Sequence, residues 1–268
     1  MSRVFVLGHR GMLGHTVTTY LRASGHDVVT SNARYSTKPQ NLLLKEVRHS
    51  GCKWVINAIG AIPQKNCSPH LMYELNALCP LHLLHEMTSD QRLIHASTDC
   101  VFSGKTGNYR TESRKDSEQD YGLSKSLGEA VAYDPRVICL RVSLIGPELC
   151  GENGLLGWFL KQTGPIQGFT NHIWNGITTL EWAKVAEEII ENKTPSQAGL
   201  IQVGTTDSLS KKQLLELFSE IWRMPNQIIP TEAKNHIDRT LVPDWIRPPI
   251  KQQLLELAAW VEGNQRLP

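Results

Sequence analysis

In the segment Asp120-Tyr121-Gly122-Leu123-Ser124-Lys125, a phenol and an ammonium stand four residues apart in a stretch that reads as helix. Positions i and i+4 share one helix face, about 6 Å apart along the axis, so Tyr121 and Lys125 reach the same small volume. A free phenol has a pKa of about 10, and an adjacent cation favours its phenolate. Such a pair suits a proton donor with its tuner, working near neutrality. Alone the spacing is unspecific, because the same pair also decorates solvated helix faces.

Two further segments supply what such a donor would serve. Near the N-terminus the apolar run Arg3-Val4-Phe5-Val6-Leu7 ends in Gly8-His9-Arg10-Gly11-Met12-Leu13-Gly14, and Val17, Leu21 and Ala23 continue at helical spacing. This reads as strand, glycine turn, helix. Such a turn brings backbone close enough for a pyrophosphate to sit on the free N–H groups of a helix N-terminus. The spacing is GxxGxxG rather than GxGxxG. A second apolar run, Leu93-Ile94-His95-Ala96, ends in Ser97-Thr98-Asp99-Cys100. Hydroxyls there would lie at the carboxyl end of a parallel strand, where α/β sheets hold ligands.

The glycine turn, the Ser97-Thr98-Asp99 strand end and the Tyr121/Lys125 pair together resemble the extended short-chain dehydrogenase/reductase family. Within it the likeness is to sugar-nucleotide 4-ketoreductases of the dTDP-4-dehydrorhamnose reductase type. Asn57-Ala58, Asn76 and Leu140-Arg141-Val142-Ser143 also look like family landmarks, and the likeness is firm to about residue 146. The resemblance implies hydride delivery to C4 of a nucleotide-linked 4-keto-6-deoxysugar, with Tyr121 protonating the developing alkoxide and Thr98 bonding the same oxygen. Lys125 would lower the Tyr121 pKa and bind the nicotinamide ribose. Gly8, Gly11, Met12, Leu13, Gly14, Asn57, Ala58, Gly60, Asn76 and Ser97 would shape or line the cofactor site. Two alternatives stay open: a non-catalytic regulatory subunit of the same fold, and a bifunctional epimerase/reductase. The second arises because Cys100 stands where the 4-ketoreductases usually carry Tyr and where GDP-L-fucose synthases carry Cys. The histidine those relatives use as the second epimerising group is missing from Asn153-Gly154-Leu155-Leu156, and His172 is the only candidate nearby.

Cofactor choice follows from charge. An NAD site usually has a carboxylate at the end of the second strand to bind the ribose 2′-hydroxyl. Here that strand ends Val29-Thr30-Ser31-Asn32, Asp27 stands at its beginning, and Arg34 and Arg10 are the nearby charges. Ser31 with two guanidinium groups suits a 2′-phosphate, so NADPH is expected over NADH. In the second half, Asn171-His172-Ile173-Trp174-Asn175-Gly176 places an indole beside amides, and Trp174, Asn175, Asn153 and Cys100 are the expected substrate contacts. Trp158, Trp182, Trp222, Trp245 and Trp260 lie in apolar settings and are expected in the core.

Alternating periodicities predict strands near 3–7, 27–31, 53–58, 92–97 and 137–143, with helices near 12–24, 39–50, 69–88 and 121–132 and an irregular stretch over 104–119. The expected fold is α/β: a Rossmann-type doubly wound parallel sheet over 1–146, with 147–268 forming a smaller C-terminal substrate-binding lobe interleaved with it. That half should hold helices near 179–192, 209–222 and 250–261 and a strand near 199–203. The 28 Lys+Arg nearly balance 26 Asp+Glu, and no basic run tracks a phosphate backbone, so nucleic acid is not an expected partner. The six cysteines show neither staple nor metal-ligand spacing, which fits a reducing cytoplasm and no metal. No apolar run approaches membrane-spanning length, and the first one is too short for a signal peptide. A homodimer is left open.

Overall fold

The computed structural model describes residues 1–38, 41–193 and 198–264. Its strands are β1 (Arg3–Leu7), β2 (Asp27–Thr30), β3 (Trp54–Asn57), β4 (Arg92–Ala96), β5 (Val137–Arg141), β6 (Leu144–Ile145), β7 (Ile166–Phe169), β8 (His172–Trp174), β9 (Ile177–Thr178), β10 (Gly199–Gly204), β11 (Leu209–Ser210), β12 (Ile228–Thr231), β13 (Ile237–Asp238) and β14 (Trp245–Ile246). Its helices are α1 (Met12–Ala23), α2 (Leu42–His49), α3 (Pro69–Tyr73), α4 (Cys79–Glu86), α5 (Asp120–Gly128), α6 (Leu155–Leu160), α7 (Thr179–Ile190), α8 (Lys211–Ile221) and α9 (Ile250–Asn264). Among the described residues no helix is long and apolar enough to cross a membrane.

A seven-stranded sheet runs β14-β10-β5-β4-β3-β1-β2 with every neighbouring pair parallel. Its strands alternate between two cores. Val4 and Val6 face a cluster under α1 and α7 with Val17, Leu21, Trp182 and Ile189, whereas Phe5 and Leu7 face Leu43, Val47 and Leu83 of α2 and α4. Period-two alternation with both faces apolar is what a parallel sheet covered by helices requires. Because β1 lies between β2 and β3, the winding reverses there, and the crevice at the carboxyl ends of β1 and β3 is the natural ligand position.

The five early strands expected from sequence are all present, with ends shifted by one or two residues. Of the helix expected over 39–50, residues 39 and 40 lie outside the described set, and α2 begins after Asn41, whose side chain accepts the Leu44 N–H. The helix expected over 69–88 is broken: a π-helical turn, Glu74–Leu78, separates α3 from α4. Pro80 has no N–H to give the Asn76 carbonyl, so the regular ladder lapses there. Gly128 packs against that same carbonyl; a Cβ on it would stand 2.1 Å from the oxygen. The helix expected over 121–132 tightens into a 3₁₀ turn at Glu129–Tyr133.

Beyond residue 146 the chain divides its labour. Helix α7 covers the sheet, and β10 and β14 extend it, while β11-β8-β13 and β12-β7 form separate small sheets and α6, α8 and α9 pack together. A third core unites Leu156, Phe159, Leu214, Phe218 and Leu254. Trp182 is fully buried as expected, but Trp158 is exposed at the surface of α6.

Helix α5 approaches the β4 end so closely that Gly122 has no room for a side chain: a Cβ would stand 2.1 Å from both the Cys100 carbonyl and the Ser117 hydroxyl. Overpacking of this kind costs typically 1–3 kcal/mol. Gly122→Ala is expected to lower the denaturation midpoint accordingly, whereas Gly263→Ala, with nothing within 4 Å, leaves it unchanged or slightly raised. Equal midpoints for the two variants in urea titrations would refute the close approach.

Candidate active site

The N-terminal turn is built for a close-packed anion cradle. Gly8 has φ of +76°, which glycine tolerates, and a Cβ there would stand 2.8 Å from the Ala58 backbone. A Cβ on Gly14 would lie 2.1 Å from the Gly8 carbonyl. Gly11 caps α1 without a side chain, and the first turn of α1 holds no acidic residue, which leaves its N–H groups available to an anion. Arg10 extends outward and donates to Asn32 Oδ1 at 2.7 Å, so the guanidinium lies at the end of β2. Arg34 is exposed on the same loop, and Ser31 accepts the Ala33 N–H. Asp27 is at the opposite end of β2, paired with Arg3 at 3.1 Å.

From this turn a cleft of about 330 Å³ runs across the carboxyl edge of the sheet. Gly11, Met12, Leu13, Ala58, Gly60, Ser97, Thr98, Cys100, Tyr121, Lys125 and Asn153 all line it, so most of the residues expected from sequence converge there. The remaining ones act from behind. Asn57 is fully buried, its carbonyl oxygen accepting the Ile59 N–H and its amide meeting His95 Nδ1 at 3.2 Å; it shapes the β3 end rather than lining the cleft. Asn76 clamps Ala61 through both its N–H and C=O and donates to Ser124 at 3.0 Å, tying the Gly60 loop to α5.

Two expected substrate contacts are corrected. The amide of Asn175 is consumed by backbone, accepting from Leu241 N and donating to the carbonyls of Thr205 and Leu241, so it joins two loops in the interior. Trp174 is not in the cleft wall. Its indole N–H donates to the hydroxyl of Ser143 at 2.8 Å, and Ser143 lines the cleft in its place.

Burial governs the electrostatics. It pushes the Tyr121 phenol above its ordinary value, aided by Cys100 and opposed by the Thr98 hydroxyl that faces it. The expected lowering by Lys125 is not seen: the shift runs the other way. The Lys125 ammonium donates to the Ala96 carbonyl at 3.1 Å, and burial draws its own pKa down. Thr98 donates to Asp99 at 3.0 Å and accepts from Cys100 N. Burial pushes the Cys100 thiol up to about 12, with Asp99 adding to the effect, which leaves a poor acid-base group. His172 is not in the cleft: its Nε2 meets the Asn235 carbonyl and its ring packs on Phe169.

Sequence reasoning missed a cationic surface beside this centre. In the small sheet β11-β8-β13, Ser210 and Asp238 both pair with Ile173, and the next residue of each segment, Lys211 and Arg239, follows toward His172 and Trp174 respectively. Lys211 and Arg239 lie close enough to each other and to His172 for their charges to be felt there, and both act on Asp99 and Cys100. Arg239 donates to the Phe102 carbonyl, which places it against the loop carrying Asp99 and Cys100. Neither Lys211 nor Arg239 has a carboxylate within ion-pair distance among the described residues. Lys211 and Arg239 lie scattered in the chain, and only the pairing of three short strands unites them. Glu148 was likewise missed; it lines the cleft and accepts the Gly154 N–H at 2.7 Å, capping α6.

Comparison with known proteins agrees with this geometry. Residues 4–148 match the NAD dependent epimerase/dehydratase family. The spore coat polysaccharide biosynthesis protein SpsK of Bacillus subtilis is 31% identical over 138 residues, 48% of this chain and 47% of that protein, so the matched region spans about half its length. The "Probable low-salt glycan biosynthesis reductase Agl14" of Haloferax volcanii is 28% identical over 225 residues, 76% of this chain and 70% of that protein. Among solved structures, a dTDP-4-dehydrorhamnose reductase from Clostridium acetobutylicum superposes with a TM-score of 0.80 at 18% identity, covering 97% of this chain and 99% of that one. The dTDP-4-dehydrorhamnose reductase of Bacillus anthracis in complex with NADP gives 0.78 at 18% identity with the same coverage. Fold, glycine cradle and the Thr98, Tyr121 and Lys125 constellation meet in one conclusion: this chain belongs to the NAD dependent epimerase/dehydratase family, the extended short-chain dehydrogenase/reductases.

Proposed function

We propose that this protein is an NADPH-dependent reductase of a nucleotide-linked 4-keto-6-deoxysugar, acting in deoxysugar or surface polysaccharide biosynthesis. The observation that carries the reading is the convergence of Thr98, Tyr121 and Lys125 on one cleft that opens from the glycine turn. The dinucleotide would lie with its pyrophosphate on the N-terminus of α1 and its adenosine toward Arg10 and Arg34, and it supplies the hydride. Tyr121 and Thr98 hold the ketone oxygen between them, and the phenol gives up its proton as charge develops there. A phenol that burial keeps protonated is poised to donate, which suits the reductive direction. Lys125 holds the nicotinamide ribose and offsets the charge left on Tyr121. Lys211 and Arg239 face the substrate side of the centre, where a nucleotide diphosphate would satisfy both. The names of the two polysaccharide and glycan relatives support the same pathway class.

The direct test follows absorbance at 340 nm with a panel of nucleotide-linked 4-ketosugars. Oxidation of NADPH is expected with at least one of them and not with the corresponding free ketosugars, which lack the diphosphate. Tyr121→Phe is expected to lose nearly all turnover while still binding NADPH. Wild-type rates in that variant would remove Tyr121 from the chemistry.

Cofactor preference is a separate question. Arg10→Ala and Arg34→Ala are each expected to erode the preference for NADPH over NADH about tenfold, since a charge-assisted contact is worth about 1.5–3 kcal/mol. A wild-type protein that binds NADH more tightly by fluorescence titration would overturn this assignment.

Cys100 serves packing in this reading, because its thiol is held neutral and no histidine shares the cleft with it. Incubation with substrate in deuterated water is therefore expected to give no exchange of the proton beside the ketone, and Cys100→Ser to change only KM modestly. Exchange that disappears in Cys100→Ser would make the protein an epimerase/reductase instead.

A further inference from the structure

Below Lys125, one helical turn further on, stands Glu129, so that Tyr121, Lys125 and Glu129 form a column at i, i+4 and i+8. The column meets consecutive residues of β4 and its extension: Lys125 Nζ donates to the Ala96 carbonyl at 3.1 Å, and Ser97 Oγ donates to Glu129 Oε1 at 2.6 Å. On its far side Glu129 receives Arg141 of β5 in a two-pronged contact, Nε to Oε1 at 2.8 Å and Nη2 to Oε2 at 2.7 Å, with Lys115 at 3.2 Å. Both members of the pair are about 1% exposed. A pair so deeply buried contributes little net stability compared with apolar residues of the same size, which raises the question of what it is for.

We propose that Glu129 is a positioning residue for Lys125: braced between Ser97 and Arg141, it fixes the helical turn beneath the ammonium against β4 and supplies the fixed anion that faces it. The inference rests on the oxidoreductase reading, in which Lys125 must carry its charge to hold the nicotinamide ribose. The ionisable groups that face Lys125 come from every element around it: Cys79 from α4, His95 from β4, Cys100 after β4, Cys139 from β5, and Tyr121 and Glu129 from its own helix. Burial pushes the thiols of Cys79 and Cys100 up to about 12 and Cys139 higher still, so all three are neutral at pH 7. His95 is held neutral as well, its pKa drawn down to about 3 by burial and by Lys125 itself. Tyr121 keeps its proton. Glu129 alone in this set is an anion: Arg141, Ser97 and Lys115 hold its carboxyl below the ordinary value despite burial. Its charge therefore opposes the desolvation that lowers the Lys125 pKa.

The sign of the effect is definite. Burial lowers the Lys125 pKa, so NADPH affinity falls as pH rises through it. Loss of the Glu129 charge brings that fall to lower pH. Two variants separate charge from packing. Glu129→Asp keeps the charge and a partner for Arg141 but is too short to brace Ser97 as well, while Glu129→Gln/Arg141→Met removes the carboxylate that raises the Lys125 pKa together with its guanidinium partner, so that neither is left orphaned. NADPH dissociation constants are measured by fluorescence between pH 6 and 10 on folded protein, with the melting temperature of each variant taken alongside. The double variant is expected to lose affinity at a pH lower by about one unit, tenfold in affinity on the falling limb, and Glu129→Asp to keep the wild-type position of that limb. A parallel readout needs no cofactor: the pH dependence of Lys125 labelling by an amine-reactive reagent, followed by mass spectrometry, is expected to shift in the same direction in the double variant only. Unshifted profiles in the double variant, or equal shifts in both variants, would overturn the proposal. Failure of wild-type protein to bind either nicotinamide cofactor would instead refute the oxidoreductase reading, and the labelling profiles would still decide the role of Glu129.

Discussion

The position of α5 over the carboxyl end of β4 governs the rest of the site, and it is fixed by polar contacts made out of reach of water. Lys125 reaches Ala96, Glu129 reaches Ser97 and Arg141, and Asn76 reaches Ser124 and Ala61. In a medium of low dielectric each of these groups is costly if left unmet. A slip of the helix by one turn, about 5.4 Å, would strand an ammonium, a carboxylate and a guanidinium together. The alternatives to the observed register are therefore separated from it by a large step. Gly122 and Gly128 make the approach possible, each pressed against a carbonyl where any side chain would force the helix away.

That close approach sets the chemistry as well as the geometry. Burial penalises the charged form of groups that line the cleft and of the histidine behind it: Tyr121, Asp99 and Cys100 are pushed up, Lys125 and His95 down. An ammonium four residues away draws a phenol's pKa down when both heads stay solvated, which is all that the spacing of Tyr121 and Lys125 can convey. In the fold burial sets both: it pushes the phenol up and draws the ammonium down. The outcome favours a protonated phenol at neutral pH, and the place where negative charge is tolerated passes to Glu129, one turn removed and fully hydrogen-bonded.

How far the sequence could be read depended on whether the signal was local. The glycine turn, the Thr98 strand end and the Tyr121/Lys125 column each lie within a dozen residues, and strands covered on both faces announce themselves as apolar runs. The break at Glu74–Leu78 could be suspected from Pro80, yet the helical periodicity around it is strong enough to hide it. Asn175 and Trp174 misled because an amide or an indole in a turn looks the same whether it meets a ligand or a backbone carbonyl. Lys211, Arg239 and Glu148 had no local signature at all. The meaning of the two cations depends on register among strands of two or three residues, far too short to read from alternation.

This difference follows the division of the molecule. The first half forms its site from consecutive strand ends of one sheet, a geometry that many core sequences satisfy as long as size and pattern are kept. The second half forms its contribution from short strands whose partners are distant in the chain, held by contacts such as Trp174 to Ser143 and Arg239 to Phe102. The two cations beside the Asp99 corner are thus placed by contacts between segments distant in the chain, whereas the Tyr121/Lys125 column of α5 is placed by contacts to the adjoining strand end of the parallel sheet.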